Sequence, residues 1–156
     1  MQYWRTIRVK FLELWKYYVL QSLLTVFSVL VIVLVLGEEQ MVLVSAIGAT
    51  CFIVFGMPKS VAAQTRNVIG GHLVGLLSGA VFFTDPLPAM YEYPLVVGLA
   101  FFLMVALDVE HPPAAGTALA VAIHGVTLDA FVTTMVSAII VTQCRFYLRG
   151  YLKDLV

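Results

Sequence analysis

Runs of apolar residues long enough to cross a lipid bilayer occupy most of this sequence and leave little chain for anything else. A membrane-spanning helix needs about 17–25 mostly apolar residues. We predict spans over residues 17–36, 41–57, 67–84, 94–109 and 128–148, and a shorter segment over 112–125 that is nearer to a half-span. The predicted fold class is therefore an all-α, polytopic membrane helix bundle with about six membrane segments.

The composition excludes several classes of protein. Only 12% of the residues are charged and 62% are hydrophobic, whereas a soluble domain carries about 25% charged residues. The formal net charge is zero, which gives no reason to expect nucleic-acid binding. Cys51 and Cys144 lie in apolar runs without metal-site or redox spacing, and we expect them to be buried small hydrophobes. Enzyme motifs are absent, so we expect no enzyme, no metal and no cofactor.

The first residues are too polar for a cleavable signal peptide. We predict that residues 1–16 form an amphipathic helix at the membrane surface, followed by a transmembrane domain over 17–150 and a short cytoplasmic tail over 151–156. The side chains expected to dip into the membrane are Trp4, Phe11, Leu14 and Trp15, and those expected to face the headgroups are Arg5, Arg8, Lys10 and Lys16.

Lysine and arginine favour cytoplasmic loops, and this rule orients the chain. If all six segments cross and the amino terminus is inside, all nine basic residues lie inside. The outer loops then hold only acids, which we expect to be a solvated face: Glu38, Glu39, Asp85, Glu92 and Asp129. We therefore predict an integral protein of a prokaryotic plasma membrane with both termini cytoplasmic. A re-entrant 112–125 is less favoured, because it would place the basic carboxyl-terminal residues outside.

Two stretches match each other at an offset of 52 residues, AAQTRNVIGGH at 62–72 and AAGTALAVAIH at 114–124. The matching pairs are Ala62 and Ala114, Ala63 and Ala115, Thr65 and Thr117, and His72 and His124. Each stretch follows an apolar span and a polar turn. A parallel internal repeat of this kind is a known arrangement among transporters.

In this repeat, two helices begin on the same side of the membrane. Proline suits the first turn of a helix, so Pro112 and Pro113 start the second of them. Helix amino termini carry free N–H groups and about half a positive charge, so two such ends predict an anion site. Its candidate residues are Lys59, Gln64, Thr65, Arg66, Asn67, His111, Pro112 and Pro113.

Within each of these helices a threonine and a histidine are seven residues apart and share one face. Thr65, His72, Thr117 and His124 are therefore candidates to line a path across the membrane. We expect His72 and His124 to lie within the membrane and His111 to lie near its inner surface. Each of these residues also has an alternative role. His72 and His124 could pack against neighbouring helices, His111 could be a turn or cap residue, and Lys59 and Arg66 could anchor the chain to lipid headgroups. The row Gly71, Gly75 and Gly79 predicts a close helix contact, within one chain or between copies.

The stretch HPPAAGTALA, which follows an apolar span, resembles the HPP family of integral membrane proteins. The family is named for the tripeptide His–Pro–Pro, which is His111, Pro112 and Pro113 in this sequence. PKSVAAQTRNVIGGHLVG is similar to the family's other recognisable stretch through Pro58, Gln64, Arg66, Asn67, Gly70, Gly71 and His72. The resemblance covers residues 15–150. It implies a link to nitrite transport, with which plant and cyanobacterial members are associated, including across the chloroplast envelope. The family is usually described with four spans, and our six segments depart from that.

The leading functional prediction is transport of a small inorganic anion, nitrite first, through a site at the cytoplasmic helix termini. A proton or cation pathway using Asp108, Glu110 and the histidines is the first alternative. A non-transporting scaffold or regulatory subunit is the second, and a membrane enzyme is the third. We also expect contacts with membrane lipids and a homo-oligomer, because six short helices make a thin bundle.

Overall fold

A computed structural model describes residues 2–36, 41–84 and 87–155 of the protein. The described residues form helices and turns without strands, and the predicted all-α bundle is confirmed. The helices are α1 (Gln2–Leu36), α2 (Met41–Cys51), α3 (Thr65–Thr84), α4 (Ala89–Ala106), α5 (Pro113–His124) and α6 (Leu128–Leu148). A π-helical turn, Phe52–Gly56, extends α2, and a 3-10 turn, Val61–Ala63, precedes α3.

The predicted surface segment 1–16 and the first predicted span form one helix, α1. Gln21 of α1 donates from Nε2 to the carbonyl of Lys153, at 2.8 Å, and to that of Phe55. Gln21 therefore joins α1 both to the end of the α2 segment and to the carboxyl-terminal tail. The predicted roles of Trp4, Arg5, Arg8, Glu38, Glu39 and Asp85 concern side chains outside the described residues.

Four helices are long and apolar enough to cross a membrane: α1, α3, α4 and α6. The stretch Met41–Gly56 and α5 are shorter. Both contribute fully buried residues, such as Cys51 from α2 and Ala118 from α5, whereas α1 exposes large apolar side chains such as Phe27. A helix too short to cross alone is tolerated where protein rather than lipid surrounds it. The four long helices therefore pack around the two short ones. The six predicted segments thus correspond to four helices long enough to cross a membrane and two shorter helices.

Helices α3 and α5 run in the same direction in close contact, as the parallel arrangement of the two units predicts. The glycine row of α3 provides the contact: Gly71 meets His111 and Ala114, Gly75 meets Ala114 and Ala118, and Gly79 meets Ala118 and Val121. At the far end of α3, Phe83 packs against Gly125, which follows α5. The row is therefore a contact within one chain, and α5 carries the chain to the opposite end of the bundle.

Helix α6 then returns to the end where α3 begins. Arg145 donates from Nε to the carbonyl of Pro58 at 2.8 Å, and the amide of Leu155 donates to Gly56 at 2.9 Å. Because α5 runs alongside α3 and α6 returns, the carboxyl-terminal tail joins the 57–64 segment at one end of the bundle. We call this end, formed by residues 57–66, 107–110 and 145–155, the basic end. Its placement in the cytoplasm stays a prediction from charge.

The fourth helix differs from its predicted bounds. It begins at Ala89, five residues before the predicted start at 94, and Pro94 lies inside it. Glu92, predicted to be solvated, is instead buried, and its carboxylate accepts a hydrogen bond from the amide of Leu87 at 3.0 Å. The carboxylate of Glu92 thereby provides a partner for the Leu87 amide, which lies just before α4 begins. Acidic side chains are favourable at this end of a helix, where backbone N–H groups are free.

Candidate functional site

The turn that carries the HPP residues folds into the bundle. Asp108 adopts a left-handed conformation with φ of 56°, which aspartate tolerates better than most residues. Val109 then packs on Gly70, and Asn67 donates from Nδ2 to the carbonyl of Glu110 at 3.2 Å. His111 is consequently fully buried and level with Gly71, about 9 Å along α3 from its first residue at 1.5 Å per residue. His111 is therefore enclosed by protein, while its predicted position near the inner surface of the membrane stays a prediction.

Both ring nitrogens of His111 have neutral partners. Nδ1 lies 2.8 Å from the carbonyl oxygen of Ala62, and Nε2 lies 2.9 Å from Oγ1 of Thr50. A carbonyl only accepts, so the Nδ1 nitrogen carries the hydrogen. A buried charge needs a charged partner or a dense set of hydrogen bonds, and this pair of neutral contacts favours the uncharged imidazole. Nε2 is then an acceptor.

His72 lies beside His111 and shares its hydroxyl partner. The ring centroids are 5.1 Å apart, and Nε2 of His72 lies 2.9 Å from Oγ1 of Thr50. Nδ1 of His72 lies 2.8 Å from Oγ1 of Thr117. Thr50 and Thr117 are fully buried, and His72 is 1% exposed. One threonine therefore bridges two histidines in the interior of the bundle.

The acceptor at Ala62 favours one direction for the other hydrogen bonds in this group. Nε2 of His111 needs a donor, and among the described residues the hydroxyl of Thr50 lies within reach at 2.9 Å. If Thr50 donates to His111 rather than to the Ala46 carbonyl at 3.0 Å, it accepts from Nε2 of His72. Nδ1 of His72 then accepts from Thr117. We call the series Thr117, His72, Thr50, His111 and the Ala62 carbonyl the histidine–threonine chain.

A cavity of about 440 Å³ opens at the basic end, lined by Pro58, Lys59, Arg145, Phe146, Arg149 and Leu152. Three of these residues are cations and none is an acid. Nε and Nη2 of Arg145 donate to the Pro58 carbonyl at 2.8 and 2.5 Å, which fixes one wall. We call this space the cationic cavity. The segment 58–62 separates it from the histidine–threonine chain, because Pro58 lines the cavity and Ala62 accepts from His111.

A sequence profile for the transmembrane region of HPP proteins matches residues 9–149. The chain belongs to the HPP transmembrane family. It is similar to a transmembrane protein of Dictyostelium discoideum, with 36% identity over 91 residues that cover 54% of this chain and 31% of that protein. A second transmembrane protein of the same organism is 32% identical over 87 residues, which cover 53% of this chain and 28% of that protein.

The HPP chain thus spans about a third of the length of these two relatives. Their names say only that they are transmembrane proteins. No solved structure matches the chain. The family and the membrane-spanning helices establish an integral membrane protein.

The structure does not gather the predicted anion-site residues of this HPP protein around one point. Arg66 and Asp108 form an ion pair of 2.6 Å at the surface, where their side chains are 58% and 72% exposed. Lys59 and Gln64 are exposed, and Thr65 is half-buried. Asn67 is buried against Glu110, whose side chain is half-buried. Arg66 therefore lies apart from the buried ring of His111.

At the start of α5, the donors that the anion prediction needs are already engaged. Pro113 is its first residue and lacks an N–H group. The amide of Ala114 donates to the His111 carbonyl at 2.9 Å, and that of Ala115 donates to the Pro112 carbonyl at 3.1 Å. The two prolines of the HPP motif therefore begin a tight helical turn, as predicted.

The predicted threonine–histidine path is only partly assembled. His72 and Thr117 contact each other, but His124 is exposed at the opposite end of the bundle. Thr50 is a site residue that the sequence analysis does not identify, because it lies in an apolar segment without a recognisable motif. A polar residue inside a membrane segment was the available signal, because such residues need a buried partner. The described residues contain no group of three potential metal ligands.

Proposed function

We propose that this HPP protein transports a small inorganic anion across the membrane, and that nitrite is the first substrate to test. The link to nitrite comes from the resemblance to plant and cyanobacterial members. The observation that carries the preference for an anion is the cationic cavity, where Lys59, Arg145 and Arg149 line one space without an acid.

Charges of one sign around a cleft raise the local concentration of the opposite ion and speed its entry. The cavity of about 440 Å³ has room for a small anion with several waters, since a water occupies about 30 Å³ in the liquid. Three acids also belong to the basic end, Asp108, Glu110 and Asp154, and none of them lines the cavity. Asp108 is paired with Arg66, and Glu110 lies on the turn that enters the bundle.

Beyond the segment 58–62, the interior offers neutral hydrogen-bonding groups instead of fixed charges. His111, His72 and the threonines between them can replace part of the water around a monovalent anion. Neutral groups also suit release, because transport needs binding that is favourable enough to enter and weak enough to leave. Cations at the mouth and neutral groups inside therefore favour passage over retention.

Two further expectations belong to this proposal. We keep the prediction that the basic end faces the cytoplasm, which places the cavity on that side. We also keep the homo-oligomer, although the glycine row is used within each chain and other surfaces would have to join the copies. A scaffold without transport is the competing reading, and it predicts no flux.

The test is uptake of nitrite into liposomes that contain the purified protein, beside nitrate, formate, chloride and protein-free liposomes. We expect saturable nitrite entry. The double variant Lys59→Gln, Arg149→Gln should raise the half-saturating concentration by roughly tenfold, because it removes two cations that line the cavity. Lys16→Gln is the matched control, since it removes one exposed cation from α1 and not from the cavity. Absence of flux for every anion in correctly folded protein would refute the proposal.

A further inference from the structure

We propose that the cationic cavity binds the phosphate group of an anionic membrane lipid, whose acyl chains lie along the outer face of α6. This binding is independent of transport and can be measured without it. One consequence rests on the function proposed above: a lipid phosphate in the cavity competes with the transported anion for the same cations.

The length of α6 places the cavity at the depth where a bilayer carries its headgroups. The helix is long and apolar enough to cross a membrane. It begins at the end opposite the cavity, and its 21 residues rise by about 32 Å. A hydrocarbon core is about 30 Å thick. Arg145 lies in the last turn of α6 and Arg149 directly follows the helix, so both arginines lie where α6 leaves the hydrocarbon.

Tyrosine and tryptophan side chains indicate the same depth. Tyr147 and Tyr151, beside the arginines, are 76% and 67% exposed. On α1, the ring of Tyr17 lies 5.8 Å from Nζ of Lys153, and Trp15 is exposed close by in the sequence. These two residue types are enriched where a membrane protein meets the headgroups. The aromatic residues of two helices therefore agree with the depth given by the length of α6.

Contacts within the protein hold the two arginines before any phosphate binds. Arg145 uses Nε and Nη2 to donate to the Pro58 carbonyl. A guanidinium carries five N–H hydrogens, so three remain for an anion. Cζ of Arg149 lies 5.1 Å from the ring centroid of Phe146, a cation–π distance. Guanidinium groups bind phosphate oxygens in pairs, which makes phosphate a better match than an anion with one acceptor atom.

The charge of the cavity favours a phosphate monoester. Lys59, Arg145 and Arg149 line the space, and the carbonyl end of α6 opposes these three cations with about half a negative charge. A phosphate monoester carries about −1.5 to −2 at pH 7, whereas a diester carries a single charge. We therefore expect phosphatidic acid to bind more tightly than phosphatidylglycerol. Phosphatidylcholine should bind least, because its ammonium group would meet the cations.

Phe146 connects the cavity with the lipid-facing side of α6. It lines the cavity and is itself exposed. Ile139, Val136 and Val132 are exposed as well and follow Phe146 at helical spacing towards the other end of α6. An acyl chain joined to a phosphate in the cavity can lie along this apolar stripe. The stripe gives a lipid an advantage that free phosphate lacks.

The first test is calorimetric titration of the full chain in a neutral detergent. The ligands are short-chain phosphatidic acid, phosphatidylglycerol and phosphatidylcholine, and inorganic phosphate. The double variant Lys59→Gln, Arg149→Gln removes two cations of the cavity. The double variant Lys16→Gln, Lys153→Gln is the matched control, because it changes the net charge equally at two exposed residues that do not line the cavity.

We expect the affinity for phosphatidic acid to fall by about 30-fold in Lys59→Gln, Arg149→Gln, since each basic residue near an anionic lipid contributes about 1 kcal/mol. The control should change it by less than about threefold, because salt screens distant charges. An equal loss in both double variants would overturn the proposal. So would inorganic phosphate or phosphatidylcholine that binds as tightly as phosphatidic acid.

The second test measures nitrite entry into phosphatidylcholine liposomes with and without phosphatidic acid. The acidic lipid should raise the half-saturating nitrite concentration more in the wild type than in Lys59→Gln, Arg149→Gln, because repulsion by the charged surface acts on both alike. An equal rise would overturn the competition. If no anion enters any liposome, the proposed anion transport fails, and the titration alone decides whether the cavity binds lipid.

Discussion

Replacing Gly79 with alanine should push α3 and α5 apart. The new Cβ would lie 2.6 Å from Cβ and 2.8 Å from Cγ1 of Val121, and it would also press on the Ala118 carbonyl. Carbon atoms rest at about 3.5–4.0 Å from each other, so the helices must separate by about 1 Å. Overpacking of this kind costs up to about 3 kcal/mol, and alanine returns about 1 kcal/mol of helix propensity. The expected net loss of stability is about 2 kcal/mol.

Gly98→Ala is the matched control, because the space around that α4 glycine is open and the same change adds only helix propensity. At about 2–4 °C per kcal/mol, Gly79→Ala should lower Tm by about 4–8 °C, and Gly98→Ala should leave Tm unchanged or raise it. The assay is thermal unfolding in one detergent, in a Cys144→Ser background because Cys144 is only half-buried, followed by a thiol-reactive dye that labels the buried Cys51 on exposure. If Gly79→Ala stabilises the protein as much as Gly98→Ala does, the inferred contact between α3 and α5 is wrong.

Three further predictions follow from the described contacts. Nitrogen NMR of labelled histidines should find hydrogen on Nδ1 of His111 and on Nε2 of His72, and the opposite tautomer at either ring would contradict the hydrogen-bond directions. Asp108→Asn should change the free energy of unfolding by less than about 1 kcal/mol in chemical denaturation, because an exposed ion pair contributes little, and a loss of several kcal/mol would give the pair a larger role. Cysteines introduced at Lys59 and Lys153 should react with an impermeant reagent from the same face of the membrane, and labelling from opposite faces would disprove the common basic end.

The helices were largely predictable, because hydropathy reports directly which segments a bilayer accepts. One exception is the start of α4: the hydropathy pattern predicts a helix that begins at Pro94, whereas this proline lies inside the helix. Proline is compatible with the early turns of a helix, and the buried carboxylate of Glu92 supports the segment before it. A hydropathy pattern contains no signal for such a cap.

The site was harder to predict because its geometry depends on how deeply one turn enters the bundle. The repeat equates His72 with His124, whereas the packing brings His72 to Thr117 and His111. Gly70 and Gly71 leave room for the side chains of Val109 and His111 to pack against α3. The spacing of residues in the sequence does not indicate how deeply the HPP turn enters the bundle. The Ala62 carbonyl belongs to the backbone, which every residue has, so no residue type in the sequence identifies it as a hydrogen-bond acceptor of the site.

The shortness of α5 changes the electrostatic barrier inside this bundle. Its 12 residues rise by about 18 Å, against a hydrocarbon thickness of about 30 Å in an ordinary bilayer. The inward fold of the HPP turn supplies the remaining depth with polar backbone and polar side chains. For the proposed transport, an ion that followed α5 would cross an apolar layer about three fifths as thick as the membrane around it. The proposed route would thus shorten the apolar distance inside the protein while the surrounding lipid keeps its ordinary thickness.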